Sequence, residues 1–222
     1  MVKIMIIAPH PDDETLGCGG TILKHKSTGD EIYWLIMTNI SKEAGYDETK
    51  VKKRQEEIDL VASRYGFQKV YKLDYPTTRL DTTPLSEMIG KVSNDIREMQ
   101  PEILYIPNRN DVHSDHKITF DVLMSAIKSF RNPFVKKVLM YETISETEFA
   151  PPLNCNAFLP NCFSDITAYM DKKLSITKIY NSEISKHPFP RSRENIKALA
   201  TFRGATAGVK YAEAFMILKE IW

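Results

Sequence analysis

The chain has 222 residues, of which 42% are hydrophobic and 27% are charged, a balance typical of an ordinary globular protein. With 30 basic and 29 acidic residues the formal net charge is +1, so no overall field attracts nucleic acid or an anionic membrane. The length suits one large α/β domain over residues 1–222, which buries enough surface to fold without cross-links.

The cysteine content argues against a disulfide framework. Cys18, Cys155 and Cys162 are an odd and small set, which fits a reducing compartment. The apolar run at the N-terminus is short and lacks a cleavage site, so we do not interpret it as a signal peptide. No apolar run approaches the ~20 residues of a membrane span. We therefore expect a cytoplasmic protein with no membrane span.

Short apolar runs alternate with helical patterns along most of the chain. Strands are predicted at residues 2–8, 32–38, 69–73, 102–107 and 137–141. Helices are predicted at residues 15–27, 48–65, 84–99 and 118–130. Such alternation predicts an α/β fold, a Rossmann-like three-layer sandwich whose mostly parallel sheet has the order of about 3-2-1-4-5 and is flanked by helices.

The last third of the chain has a different character. Residues 142–164 contain three prolines among Asn and Phe, which predicts a long irregular loop or lid rather than a domain boundary. Two further helices are expected at about 166–185 and 191–205. A final apolar run at 214–218 fits either a strand or a helix that closes the fold.

The segment from His10 to Glu14 follows the first predicted strand. Ligands bind outside the carboxyl ends of strands in open α/β sheets, and imidazole with carboxylate suits zinc and similar metals. The alternative is an N-cap role for Asp12 or Asp13, with Glu14 in the first helical turn. That alternative leaves His10, held between two prolines, without an explanation.

A second motif follows the fourth predicted strand. The chain has only five histidines, and His113 and His116 are two of them, with Asp115 between. In the predicted sheet the first and fourth strands are neighbours, at the point where the order reverses. We therefore expect this motif and the segment from His10 to Glu14 to meet in one crevice.

Together the two motifs resemble the signatures of the LmbE-like or PIG-L family, which are zinc-dependent N-acetylglucosaminyl deacetylases. The first signature reads as residues 10–14 do here, and the second, His-x-Asp-His, as residues 113–116 do. Softer similarities extend over nearly the whole chain: Arg54 with Glu56 and Glu57, Asp81, residues 180–183 and residues 208–215. The chain departs from some relatives at Asp111 and Val112, where they carry a tyrosine, and at Glu183, where they carry a glutamine.

The resemblance implies a hydrolase that removes the acetyl group from an N-acetylated amino sugar. It implies Zn²⁺ as cofactor, with Fe²⁺ or Co²⁺ as alternatives because such ligands accept them too. By the resemblance, the metal ligands are His10, Asp13 and His116. By the same resemblance, Asp12 is the general base and His113 is a second catalytic group, oriented by Asp115. Two histidines and one carboxylate leave a coordination position open for water.

Four further residues are candidates with two interpretations each. Arg54 can contact substrate with its guanidinium or lie on a solvated helix face. Asp81 can bind sugar hydroxyls or cap the following helix, and Tyr180 can line the pocket or pack in the core. Glu14 can hydrogen-bond a metal ligand and fix its orientation, or it can simply be an acid at the helix start.

Two other functions compete with deacetylation. One is a different metal-dependent amidase or a phosphoesterase acting on a small polar substrate. The other is a nucleotide-binding module without catalysis, which leaves the motif at residues 113–116 unexplained. The sequence gives no oligomeric state, and a homo-oligomer is compatible with it.

Overall fold

The computed structural model describes residues 1–222. The strands are β1 (Lys3–Ala8), β2 (Glu31–Asn39), β3 (Lys69–Pro76), β4 (Ile103–Pro107), β5 (Lys137–Tyr141), β6 (Cys162–Asp165) and β7 (Ala212–Glu220). The helices are α1 (Asp13–Ser27), α2 (Glu48–Tyr65), α3 (Leu85–Met99), α4 (Ser114–Ala126), α5 (Met170–Thr177) and α6 (Arg193–Ala207). Two 3-10 turns lie at Leu80–Thr82 and Asn154–Asn156. None of these helices combines the length and the apolar character that crossing a membrane requires.

All seven strands belong to one sheet of order β3-β2-β1-β4-β5-β7-β6. The first five strands pair in parallel, which confirms the predicted central order 3-2-1-4-5. β7 runs antiparallel to both β5 and β6 and extends the sheet beyond the predicted strands. The mostly parallel character follows from the helical crossovers, which return the chain to the same end of the sheet.

Side chains of β1 alternate between two apolar cores. Met5 and Ile7 pack in the core that contains residues of α3 and α4. Ile4 and Ile6 pack in the core on the other face, with residues of α1 and α2. Because successive residues of a strand point to opposite faces, a strand between two helical layers must be apolar at every position. The expected three-layer sandwich is confirmed.

The C-terminal third differs from the expectation in three places. The segment 142–164 is largely irregular, but its last residues form the start of β6, so that end of the predicted loop is wrong. The helix expected at 166–185 is only α5, at Met170–Thr177, and the chain is irregular from there to α6. The final apolar run forms β7, since its residues at 212–215 pair with β6 and those from 215 onward pair with β5.

Helix α1 is fastened to the sheet and to the C-terminal elements by buried polar contacts. Glu213 on β7 accepts hydrogen bonds from the backbone N–H groups of Gly20 (2.8 Å) and Thr21 (2.7 Å). Lys173 on α5 donates to Glu213 over 2.7 Å and to the carbonyl of Leu16 over 2.8 Å. A buried charge pair with its remaining donors satisfied is tolerated in a core, and this one fixes the axis of α1.

One glycine of α1 permits close contact with β5. A Cβ at Gly17 would overlap the ring of Tyr141, and the hydroxyl of Tyr141 donates to the carbonyl of Ile7 on β1 over 2.8 Å. The small residue therefore lets the start of α1, which carries the first motif, lie directly on the sheet.

We expect Gly17→Ala to lower the free energy of unfolding by about 1–3 kcal/mol, because an overpacked core must shift to accept the methyl group. Gly90→Ala is the matched control, since a Cβ at Gly90 in α3 meets no atom within 4 Å. That control should gain about 0.5–1 kcal/mol from higher helix propensity. Urea unfolding of both variants provides the measurement, and equal stability of the two would contradict the packing account.

Candidate metal and catalytic site

The two sequence motifs meet where β1 and β4 end side by side. β1 ends at Ala8 and β4 at Pro107, and the two strands are paired. After β1 the chain makes one turn and enters α1 at Asp13, and after β4 it enters α4 at Ser114. Both motifs therefore lie at the carboxyl edge of the sheet, at its switch point, as predicted.

Three of these side chains form a compact set of metal-ligating atoms. The ligand atoms of His10, Asp13 and His116 all lie within 4.8 Å of one another. Asp13 is central, because its Oδ2 is 3.4 Å from Nδ1 of His10 and 3.3 Å from Nε2 of His116. The same oxygen accepts the backbone N–H of His10 over 2.8 Å. Two imidazole nitrogens and one carboxylate oxygen therefore converge on one small volume.

The other nitrogen of each imidazole faces a second carboxylate. Nε2 of His10 lies 3.0 Å from Oδ2 of Asp115, and Nδ1 of His116 lies 2.8 Å from Oδ2 of Asp111. Metal-binding histidines characteristically donate their distal N–H to a carboxylate, which fixes the ring and leaves the proximal nitrogen as a base.

Whether a cation fits this cluster can be judged from Nε2 of His116, which faces the other ligand atoms. Nε2 of His116 is buried and makes no hydrogen bond. A buried polar atom without a partner is costly unless something else satisfies it. A divalent cation held by this nitrogen, Asp13 and His10 would do so, and the donor set of two histidines and one carboxylate suits zinc, iron or cobalt. The residues present therefore fit a metal ion.

Charges in the cluster are strongly coupled. Burial opposes the charged form of His10, but hydrogen bonds to Asp115 and Asp13 outweigh it and raise its pKa to about 9. Burial also acts to raise the pKa of Asp13, yet the neighbouring His116 and His10 hold that pKa well below its usual range. Metal ligands must be deprotonated, so binding of a cation would release the proton that His10 holds.

Asp12 is held in an unusual backbone conformation. Its φ is 144° and its ψ is −27°, a region that non-glycine residues rarely adopt. Asp12 occupies the N-cap position of α1, but its side chain makes no capping hydrogen bond there. Instead its Oδ2 accepts from Nη1 of Arg191 over 2.8 Å. Burial raises the pKa of Asp12 to about 7, although the charge of Arg191 acts to lower it.

Glu14 supports that conformation from within the protein. Its Oε2 accepts the backbone N–H of Asp12 over 3.0 Å, and its Oε1 accepts from the hydroxyl of Tyr180 over 2.9 Å. Burial raises the pKa of Glu14 to about 8, although the hydrogen bond from Thr15 opposes it. Glu14 contacts Asp12, not a metal ligand. Tyr180 is fully buried and does not line the cavity, so its expected contact with substrate is replaced by its bond to Glu14.

His113 is placed by the first turn of α4. Its Nδ1 accepts the backbone N–H of Asp115 over 3.1 Å, so a neutral imidazole carries its hydrogen on Nε2. Burial and the charge of His10 lower the pKa of His113 to about 4. A neutral imidazole is therefore favoured here, and His113 offers an N–H donor.

The carboxylate of Asp115 does not orient His113 in the expected way. It binds Nε2 of His10 and accepts the backbone N–H groups of Thr78 (2.7 Å) and Leu80 (3.3 Å). The physical reason is the direction of the side chain, which crosses from α4 to the loop after β3 and to the end of β1. Asp115 positions His113 only through its backbone.

A cavity of about 450 Å³ opens above these groups. Its lining includes His10, Asp12, His113 and Arg54 and is mostly polar. The guanidinium of Arg54 donates to the carbonyl of Pro11 over 2.8 Å and also forms ion pairs with Glu183 and Glu57. Arg54 thus lines the cavity as expected, but its donors are already engaged by the protein.

Asp81 is not brought to the site. It is exposed on the 3-10 turn after β3, makes no side-chain hydrogen bond and does not line the cavity. It does not cap α3 either, because the N-cap position is Pro84. Both interpretations of Asp81 are therefore wrong: the chain makes an additional 3-10 turn there, which the sequence analysis did not predict.

Three further residues belong to the site and were not among those predicted from the sequence. Arg191 contacts Asp12 from a segment with no recognised motif, and Glu146 lines the cavity from the loop after β5. Asp111 contacts His116 over 2.8 Å and fixes its ring. The only sequence signal for any of the three was the position of Asp111 shortly before the motif at residues 113–116.

The fold and the site together define a doubly wound α/β protein with a candidate metal site at the switch point of its sheet. The family model described as "PIG-L: GlcNAc-PI de-N-acetylase" matches residues 5–127, which include both motifs, and the chain belongs to this family. The chain is 25% identical to a diacetylchitobiose deacetylase of Thermococcus kodakarensis, over 99% of this chain and 84% of the relative.

Two solved structures extend the comparison. The structure of N,N'-diacetylchitobiose deacetylase from Pyrococcus horikoshii superposes with a TM-score of 0.76 at 25% identity, over 98% of this chain and 84% of that one. The 4-carboxy-2-hydroxymuconate hydratase of Pseudomonas putida superposes with a TM-score of 0.77 at 19% identity, over 100% of this chain and 98% of that one. The second likeness concerns the fold alone.

We expect Asp111→Asn to weaken metal binding by about 10–100-fold, the usual effect of losing an outer carboxylate partner. The carboxylate accepts at both ends, from His116 at Oδ2 and from Asn108 and Thr147 at Oδ1, whereas an amide has only one acceptor end. Competition with a chelator measures the affinity. Asp81→Asn is the matched control and should bind metal as the unchanged protein does, and equal affinities for the two variants would contradict the role of Asp111.

Proposed function

We propose that this protein is a metal-dependent N-deacetylase that removes the acetyl group from an N-acetylated amino sugar. The observation that carries the proposal is the set of His10, Asp13 and His116 beside the carboxylate of Asp12, in a chain of the PIG-L family. Relatives named as deacetylases of N-acetylated sugars support the substrate class. Since the fold is shared with a hydratase, the site and not the fold supports the reaction.

His10, Asp13 and His116 would hold the cation, and we propose Zn²⁺, with Fe²⁺ or Co²⁺ as alternatives. When bound, such an ion activates water and polarises the amide carbonyl as a Lewis acid. Nδ1 of His10 and Nε2 of His116 are the ligand nitrogens in this assignment, because the other nitrogen of each ring faces Asp115 or Asp111.

Asp12 is the proposed general base. Its Oδ2 is occupied by Arg191, and its Oδ1 accepts no hydrogen bond, which leaves that oxygen to take a proton from the attacking water. A general base works best when its pKa lies near the operating pH, and burial brings the pKa of Asp12 to about 7. The same carboxyl can then return the proton to the nitrogen of the leaving amine.

His113 is the proposed donor to the substrate carbonyl. Its Nε2–H is available because Nδ1 accepts a backbone N–H, and the ring lines the cavity. A fixed donor stabilises the negative charge that builds on the carbonyl oxygen as water attacks. The products are acetate and the free amine, and breaking the C–N bond of the amide consumes one water.

The cavity supports a small polar substrate. Its volume of about 450 Å³ is within the range of small-molecule sites, and its polar lining suits the hydroxyls of a sugar. We propose that the substrate is an N-acetylglucosamine unit, free or within a small conjugate.

The three cysteines are unpaired in the structure, which supports our placement of the enzyme in a reducing compartment such as the cytoplasm.

A phosphoesterase with two metal ions is less well supported. The structure offers a second group of potential ligands, His10, His113 and Asp115, but it shares His10 with the first group. Two-metal phosphoesterases hold their ions ~3.5–4 Å apart and need more ligands than these two overlapping groups supply. A nucleotide-binding module without catalysis would need neither the cluster nor the base.

The direct test is acetate release from a panel of N-acetylated sugars by the metal-loaded protein. We expect release that stops on chelation and returns with Zn²⁺. Asp12→Asn should retain metal and lose about 10²–10⁴-fold in kcat, the usual contribution of a general base. His116→Ala should lose the metal itself. Full activity of Asp12→Asn, or release of phosphate but not acetate across the panel, would overturn the proposal.

A further inference from the structure

We propose that Arg191 is a positioning residue for the general base: its guanidinium fixes the carboxylate of Asp12 in the orientation from which Oδ1 takes the proton. This inference rests on the proposed function. Arg191 belongs to no recognised sequence motif and lies 179 positions after Asp12 in the chain.

The side chain of Asp12 has one partner, and that partner is Arg191. Nη1 of Arg191 donates to Oδ2 of Asp12 over 2.8 Å, and no other group donates to this carboxylate. The backbone of Asp12 is already held, because Glu14 accepts its N–H over 3.0 Å and its carbonyl accepts the N–H groups of Thr15 and Leu16. The remaining freedom is rotation of the carboxylate, and the guanidinium contact removes it.

Arg191 is itself held by groups from two other segments. Its Nε donates to Oγ of Ser145 over 2.7 Å, and its Nη2 lies 3.4 Å from Oε1 of Glu146. Its Nη1 also donates to Oε2 of Glu183 over 3.2 Å. A planar guanidinium with all three nitrogens engaged has one orientation, and a lysine cannot reproduce these contacts.

The position of the backbone at Arg191 is also determined. The next residue, Ser192, is the N-cap of α6 and accepts the N–H of Asn195 over 3.2 Å. Glu183 lies between Arg191 and Arg54, and Arg54 in turn donates to the carbonyl of Pro11 over 2.8 Å. The network therefore contacts two groups at the catalytic residue. Arg54 holds the carbonyl of Pro11, which precedes Asp12, and Arg191 holds the carboxylate of Asp12 itself.

A purely structural role is the alternative, in which Arg191 only fastens the irregular segment between α5 and α6. The two roles predict different effects of mutation. Loss of a structural fastening lowers stability and affects binding and turnover together. Loss of positioning lowers kcat while substrate binding and metal content remain, because misplacing a reacting group by about 1 Å can cost ~10²-fold.

The experiment compares Arg191→Ala, Arg191→Lys and the matched control Arg203→Ala. Arg203 also forms a half-buried ion pair, with Glu142 over 2.6 Å, but outside the catalytic cavity. For both Arg191 variants we expect kcat to fall by about 10²-fold, with KM within about threefold and full metal content. Arg203→Ala should keep the original kcat even though its free energy of unfolding falls.

Chemical rescue adds a readout that a structural role would not give. Millimolar guanidinium ion should restore part of the kcat of Arg191→Ala by occupying the vacated space beside Asp12, and it should not restore Asp12→Asn. A crystal structure of Arg191→Ala should show the Asp12 carboxylate displaced while His10, Asp13 and His116 keep their places. Arg191→Lys, which retains the charge, replaces the alanine variant if that variant does not fold.

Three results would overturn the inference. They are an unchanged kcat in both Arg191 variants, a change in KM alone, and a loss of kcat that the Arg203 control shares. The absence of acetate release from the metal-loaded original protein would instead reject the proposed function, and with it this inference. The two failures are therefore distinguishable in one set of assays.

Discussion

The candidate site depends on one carboxylate between two imidazoles, which are brought together from distant parts of the chain. Oδ2 of Asp13 lies 3.4 Å from His10 and 3.3 Å from His116. This meeting requires β1 and β4 to be neighbours, and hence requires the chain to reverse its direction along the sheet after β3. The reversal leaves a crevice at the carboxyl ends of the strands, and the site occupies it.

Three consecutive buried acids follow from that placement, and each is stabilised differently. The carboxylate of Asp13 is balanced by two imidazoles, and that of Asp12 by Arg191. Glu14 has no cationic partner, and burial raises its pKa to about 8 while Tyr180 donates to it. Adjacent acids thus acquire different pKa values from their surroundings, and this divergence suits the proposed roles, in which Asp13 holds a cation and Asp12 moves a proton.

The central part of the fold could be predicted from the sequence because its signals are local. A buried strand such as β1 is apolar throughout, and each motif directly follows a strand, so the placement of His10 and His116 required only the common order of such sheets. β6 was missed because four residues at a sheet edge carry too little pattern. The early end of α5 was missed because apolar residues such as Tyr180 continue beyond it into the core.

The rest of the site could not be predicted because it depends on tertiary contacts. Nothing near Arg191 in the sequence indicates that it reaches Asp12, since the contact requires α6, the loop after β5 and the start of α1 to be in place. The burial of Tyr180 and the exposure of Asp81 are likewise decided by packing. Asp115 shows the same limit: its place in the motif was evident, but the direction of its carboxylate toward His10 was not.

The central claim is that His10, Asp13 and His116 hold one divalent cation, and the zinc-loaded protein tests it most directly. Anomalous diffraction at the zinc edge should place one ion per chain between Nδ1 of His10, Asp13 and Nε2 of His116, with ligand distances of about 2.0–2.2 Å. The structure contains one competing group, His10 with His113 and Asp115. An ion on that group, or no ion at this edge of the sheet, would contradict the account.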